Sequence, residues 1–138
     1  MLLIPRKVKH RKWHKGRSRK RSVETRGTKV SFGDYGLQAL GSAWLSSRQI
    51  EAGRRAITHF LKREGKVWIR VFPDKPVTAK PPEVGMGGGK GPVDHYVFPI
   101  KPGRIIYEID GVPESKAKTA LDRAKHKLPF KTRFVKKD

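Results

Sequence analysis

Between Asp74 and Asp94 the chain reads Asp-Lys-Pro-Val-Thr-Ala-Lys-Pro-Pro-Glu-Val-Gly-Met-Gly-Gly-Gly-Lys-Gly-Pro-Val-Asp. Four prolines (Pro76, Pro81, Pro82, Pro92) withhold backbone donors, and five glycines (Gly85, Gly87, Gly88, Gly89, Gly91) raise the entropic cost of ordering. Neither helix nor sheet is expected across this stretch. Its only large apolar side chain is Met86, so it cannot bury itself. Structureless loops of such length are uncommon inside small domains and are usually functional or disordered. The stretch is therefore expected to protrude, as a tether or as an arm ordered by something outside the chain.

The whole chain has 138 residues in which to build a core, and hydrophobic residues make up 36 % of them. One domain is the natural expectation. Charge then narrows the class: 33 Lys plus Arg stand against 12 Asp plus Glu, for a formal net charge of +21. Self-repulsion on that scale opposes compaction and calls for a polyanion, nucleic acid before anionic membrane. No run approaches the ~18 apolar residues of a membrane-spanning helix, and a soluble protein is expected. Met1–Pro5 is too short for a signal-peptide core and is followed by basic residues. The absence of cysteine excludes disulfides and thiolate metal sites and fits a reducing compartment.

Residues 1–30 carry 12 Lys or Arg and one acid, Glu24, for a net charge of +11. Gly16 and Gly27 interrupt any helix there, and residues 1–28 read as a basic extension rather than a folded unit. Order is expected from residue 29 onward in a single domain, 29–138. Lys29–Phe32 reads as a short strand closed by a turn at Gly33–Gly36. Leu37–Leu45 reads as a second short strand or irregular packing piece. A helix follows, with Ser46 as N-cap and Gln49 completing a capping box. Its apolar face is Ile50, Gly53, Ile57, Phe60 and Leu61, and Gly65 reads as its C-terminal cap. Lys66–Phe72 alternates with both sides largely apolar and reads as a central strand. After the loop, His95–Lys101 and Arg104–Ile109 read as a hairpin around a type II turn at Pro102-Gly103. A second helix is expected beyond Pro113, with Ala117, Ala120, Leu121, Ala124 and Leu128 inward and Glu114 in its first turn. Pro129 stops it, and Phe130–Val135 closes the fold. The fold class is α+β: an antiparallel or mixed sheet with two helices packed on one face.

The glycine-rich run does not make a nucleotide loop. A Walker sequence needs Gly six residues before its Lys and Ser or Thr after it, where this chain has Val84 and Gly91. A dinucleotide loop needs a following helix, and Pro92 leads into a strand. His10 and His14 are four apart, but no further ligand is near and no metal site is expected. His59, His95 and His126 are scattered, and Glu108 and Asp110 read as surface charges. No enzyme and no cofactor or small-molecule substrate is expected. Cations spread over arm, helix and loop suit a protein embedded in folded RNA better than a DNA reader with one recognition element. A free-standing basic nucleic-acid-binding or RNA-chaperone protein is the alternative.

Several blocks occur in an order that resembles a known family: Arg11-Lys12, His14-Lys15-Gly16-Arg17, Val30-Ser31-Phe32-Gly33, Arg48-Gln49-Ile50-Glu51-Ala52, and Ile69 to Pro76. Met86-Gly87, Gly89-Lys90-Gly91, Tyr107-Glu108, Gly111-Val112 and Lys127-Leu128-Pro129 complete the set. The chain resembles the bacterial and organellar ribosomal protein L-sixteen family of the large subunit, related to the archaeal and eukaryotic L-ten-e proteins. The resemblance implies an α+β ribosomal protein bound to 23S-type large-subunit rRNA, with neighbouring large-subunit proteins as partners. It implies a loop, 74–94, that reaches aminoacyl-site and peptidyl-site tRNA and assists by positioning, without a catalytic group. The expected rRNA contacts are Lys7, Lys9, Arg11, Lys12, Trp13, His14, Lys15, Arg17, Arg19, Lys20, Arg21, Arg48, Arg54, Arg55, Arg70 and Lys75. Lys80, Met86, Gly87, Gly89, Lys90 and Gly91 are the expected tRNA contacts. Gly85 and Gly88 stand where the family usually has Arg and often Lys, so the loop tip has up to two fewer cations. The expected location is the ribosome, in the cytoplasm or in an organelle stroma or matrix.

Overall fold

Two antiparallel sheets and two helices share one core in the computed structural model, which describes residues 3–7, 9–10, 12, 23–80, 87 and 89–138. The strands are β1 (Tyr35–Ala39), β2 (Ala43–Ser46), β3 (Lys66–Ile69), β4 (Lys75–Thr78), β5 (Val93–Ile100), β6 (Ile105–Asp110) and β7 (Thr132–Lys136). The helices are α1 (Ser47–Leu61) and α2 (Glu114–Lys125). One sheet has four strands in the order β3-β6-β1-β7, the other three in the order β2-β5-β4. The α+β expectation holds, with the refinement that the strands divide between two sheets. Among the described residues, no helix is long and apolar enough to cross a membrane.

Helix α1 starts where its side chains can satisfy the orphan amides. Ser46 Oγ accepts from the Gln49 amide at 3.2 Å, and Gln49 Oε1 accepts from the Ser46 amide at 3.0 Å. This is the expected capping box. Ile50, Gly53, Ile57 and Leu61 point inward at helical spacing. Gly53 is required by a close approach: a Cβ there would lie 2.2 Å from the Tyr107 hydroxyl. That hydroxyl donates to the Ile50 carbonyl at 2.6 Å, tying β6 to the helix backbone. The helix ends earlier than its periodicity suggests. Lys62, at φ 50°, takes the left-handed position expected three residues later, and its amide returns to Thr58 O at 3.0 Å. Gly65 instead lets the chain pass within reach of Asp110 O, 2.2 Å from where a Cβ would stand. Helix α2 buries Ala117, Ala120, Leu121 and Ala124, as its pattern predicts, but it ends at Lys125, so Leu128 lies beyond it and only partly buried against the core. Both helices pack on the four-stranded sheet, α1 beside β3 and α2 over β1 and β7.

Four strand expectations are corrected. Lys29–Phe32 is not a strand, and its Ser31 and Phe32 amides are committed to a side chain described below; the first strand is Tyr35–Ala39. Leu37–Leu45 splits into β1 and β2, which enter different sheets. β3 is an edge strand, and β6 is an interior one, buried from Ile105 to Ile109. The predicted hairpin between β5 and β6 has the expected turn, with Gly103 at φ 102° and Arg104 N–H to Lys101 O at 3.3 Å. Its two strands do not pair, however. β6 is flanked by β3 and β1, and β5 by β2 and β4, so the turn carries the chain from one sheet to the other.

The Pro/Gly stretch is also shorter than it reads. Lys75–Thr78 pairs with β5 through Lys75↔Val97, Pro76↔Tyr96 and Val77↔His95. A proline is tolerated because β4 is an edge strand, where a missing N–H interrupts no ladder. The hairpin continues to Ala79 N–H, which donates to Pro92 O at 3.2 Å. The segment between β4 and β5 therefore springs from a paired base, and of its residues 81–86 and 88 lie outside the described ones.

Candidate nucleic-acid interface

The residues expected to meet RNA divide by whether the fold has already engaged them. On α1, Arg48 and Arg55 are exposed. Arg54 turns to Glu51 through two hydrogen bonds of 2.9 and 2.5 Å, and Arg55 adds one of 3.3 Å. Arg54's hydrogen bonding outweighs burial and brings the Glu51 carboxyl down to about 2. Lys75 is buried, its ammonium 4.5 Å from the centre of the Trp44 ring. Between the helices runs an open groove with Ala52 and Ala56 on its floor and Arg55, His59, Arg123, His126 and Lys127 around it. Arg123 lies over the half-buried ring of Phe60, 4.9 Å from its centre.

The most constrained charge is Glu108, which sequence reasoning placed on the surface. Its side chain is fully buried. One carboxylate oxygen accepts three consecutive backbone amides, Ser31 at 3.0 Å, Phe32 at 2.7 Å and Gly33 at 2.9 Å. The other accepts from Arg70. Burial alone would raise its pKa, but the Gly33 amide, Arg70 and the Phe32 amide outweigh it and hold the carboxyl below its ordinary 4.5. Gly33 must be glycine for this contact, since a Cβ would stand 2.5 Å from Ile109 O. The signal was present in Ile-Ile-Tyr-Glu-Ile: an acid inside a strand apolar on both sides needs a buried partner.

Arg70, expected as an RNA contact, is thus turned inward, and its guanidinium also covers the Phe32 ring at 4.9 Å. Phe32 in turn stacks on Trp68, with ring centres 6.2 Å apart and planes 23° from parallel. Arg104 fastens the end of the basic extension. It donates to Arg70 O at 3.0 Å and Arg26 O at 3.4 Å, lies over Phe98 and stands 3.8 Å from Glu24. The Glu24 amide reaches Pro102 O at 3.0 Å, so the chain is already held to the domain before residue 29.

Lys7, Lys9 and Lys12 are exposed. Lys12 Nζ donates to Lys90 O at 3.2 Å, which brings this lysine to the segment between β4 and β5. Lys80 Nζ donates to Gly87 O within the loop, and Gly87 and Gly89 sit at φ 107° and 93° with open space around them. Gly91 is buried against Ala79 and Lys80. Arg11, Trp13, His14, Lys15, Arg17, Arg19, Lys20, Arg21 and Met86 lie outside the described residues. Among the described residues, no group of three or more metal-ligating side chains is assembled.

Residues 5–135 match the family described as ribosomal protein L16p/L10e. This chain belongs to that family. The large ribosomal subunit protein uL16c of Phaeodactylum tricornutum is 56 % identical over 137 residues, 99 % of this chain and 98 % of the relative. Large ribosomal subunit protein uL16 of Heliobacterium modesticaldum is 54 % identical, and uL16c of Chara vulgaris 53 %, each across 99 % of this chain and 94 % of the relative. The L16p/L10e match runs through the N-terminal basic residues, both helices, both sheets and the segment between β4 and β5.

Proposed function

We propose that this chain is a structural constituent of the large ribosomal subunit, where it binds large-subunit rRNA and lies against neighbouring ribosomal proteins. The observation that carries this is family membership across nearly the whole chain, at 53–56 % identity to proteins named for that subunit. The physical support is the distribution of charge. Exposed cations lie on the extension, on α1 and around the α1–α2 groove, a pattern that suits a body surrounded by folded RNA. Lys7, Lys9, Lys12, Arg48 and Arg55 are assigned to phosphate contact; Arg54, Arg70 and Lys75 serve by holding the fold. As a family member it acts as a structural component of the ribosome rather than an enzyme, in a bacterial cytoplasm or an organelle stroma. The test is cosedimentation of tagged chain with large subunits through a high-salt sucrose gradient. Recovery at the top of the gradient would favour the free-standing RNA-binding alternative.

The finer proposal concerns the loop on the β4–β5 base. Residues 79–92 are assigned to tRNA near the aminoacyl site, with Lys80 and Lys90 supplying cations and the glycines permitting close backbone approach. Replacing both lysines by Ala should leave folding intact and weaken tRNA accommodation on reconstituted subunits by about 1–3 kcal/mol. Gly85→Arg restores a cation and should strengthen it. Unchanged accommodation in all these variants would make the loop a passive tether.

A further inference from the structure

Phe32 is 58 % exposed, yet its backbone is tied to a buried side chain. Its own amide and those on either side are bound to the buried Glu108 carboxylate, so its backbone has no freedom to withdraw the ring. The ring stacks against Trp68, and the Arg70 guanidinium lies over it. Trp68 is itself placed by pairing opposite Glu108 in the sheet, on the side away from the helices. A fold that needed only to cover Trp68 would bury the phenyl group; this one builds a rigid mount and leaves the ring in solvent.

The surroundings decide what such a ring would meet. Lys29 is exposed three residues before it, and Lys66, also exposed, shares the Trp68 face of β3 two residues away. Asp110 stands across from Lys66 and partly offsets it, while Glu108 is internally neutralised by Arg70. An exposed aromatic ring backed by an arginine and bordered by lysines is complementary to a base with its phosphates, and poorly complementary to an apolar protein surface. We infer that Phe32 is a stacking platform for an unpaired nucleobase of the large-subunit rRNA, held by the Glu108 cradle and backed by Trp68 and Arg70. The inference rests on the rRNA-binding reading above and adds a single-base contact to it.

Stacking and phosphate contact separate by salt. Loss of a stacked base lowers affinity without changing the slope of log affinity against log salt, whereas loss of a phosphate contact makes the slope shallower by about one. The experiment measures binding of the full chain to protein-free large-subunit rRNA across a salt series, for wild type, Phe32→Ala, Phe32→Leu, Phe32→Trp and Lys29→Ala. Phe32→Ala should weaken binding roughly five- to a hundred-fold at unchanged slope. Trp should restore the affinity and Leu should not, since Leu keeps apolar bulk without a π face. Because the ring is exposed, the Leu and Trp variants should match wild type in Tm, so the Leu/Trp comparison stands even if Ala disturbs the fold. Wild-type affinity in Phe32→Ala, or restoration by Leu equal to that by Trp, overturns the platform; the latter outcome would mark an apolar protein contact. Steep salt-dependent binding by wild type in those cases leaves the rRNA reading standing. Absence of such binding in wild type removes both.

Discussion

At Glu108 one carboxylate joins three parts of the chain: β6, the Ser31–Gly33 segment, and Arg70 beyond β3, whose guanidinium also lies over the Phe32 ring. Glu108→Gln keeps the shape but leaves Arg70 without its counter-charge. Breaking a buried pair from one side costs about 3–5 kcal/mol, and urea unfolding should place this variant near the lower figure because Gln retains an acceptor. Amide exchange at residues 31–33 should quicken at the same time. The pH dependence has a defined sign. The folded Glu108 carboxyl sits below its ordinary 4.5, so its stabilisation is complete above that pH and fades as pH falls through the folded value. Glu51 behaves likewise between 4.5 and about 2. Glu51→Gln should cost about 1–2 kcal/mol at neutral pH and flatten the decline of stability in that window, measured by denaturation at stepped pH.

Among the elements, α1 tests packing against propensity most directly. Gly→Ala inside a helix ordinarily gains about 1 kcal/mol, but at Gly53 the new methyl would meet the Tyr107 hydroxyl at 2.2 Å and a ring carbon at 2.8 Å. Gly53→Ala should therefore destabilise by about 1–3 kcal/mol, the range of an overpacked core. Tyr107→Phe removes only the nearer atom, so the double variant should be less unstable than the sum of the singles, yet not restored. On the same helix, Ile57 is wholly buried and Phe60 half-buried under Arg123, so Ile57→Ala should lower stability by about 2–5 kcal/mol and more than Phe60→Ala. The inward faces of both helices, the capping box and the Pro102-Gly103 turn were legible in the sequence because each is decided by residues within a few positions. β6 as central strand, the division into two sheets and the Glu108 cradle were not. They depend on partners far beyond a local window, such as Lys66 and Asp110 paired across the sheet or Ser31 and Glu108 at a separation of 77. At the interface, the exposed cations were legible as charge, but nothing local told Arg55, which faces outward, from Arg54 and Arg70, which do not.

For the whole molecule the dominant quantity is its net charge of +21, concentrated toward the N-terminus. Removing residues 1–21 takes away ten Lys and Arg and no acid, and should make the salt dependence of rRNA binding shallower as fewer counterions are released. An unchanged slope would show that the extension makes no phosphate contacts. The order of strands bears on how such a chain comes into being. β1 lies between β6 and β7, the last two strands to be made, and the Ser31–Gly33 amides find their acceptor 77, 76 and 75 residues later. Made from its N-terminus, the chain therefore carries β1 with both edges bare for most of its synthesis. The four-stranded sheet closes only when Thr132–Lys136 arrives, so a strand made in the first third of synthesis waits for nearly the last residue before its second edge is paired.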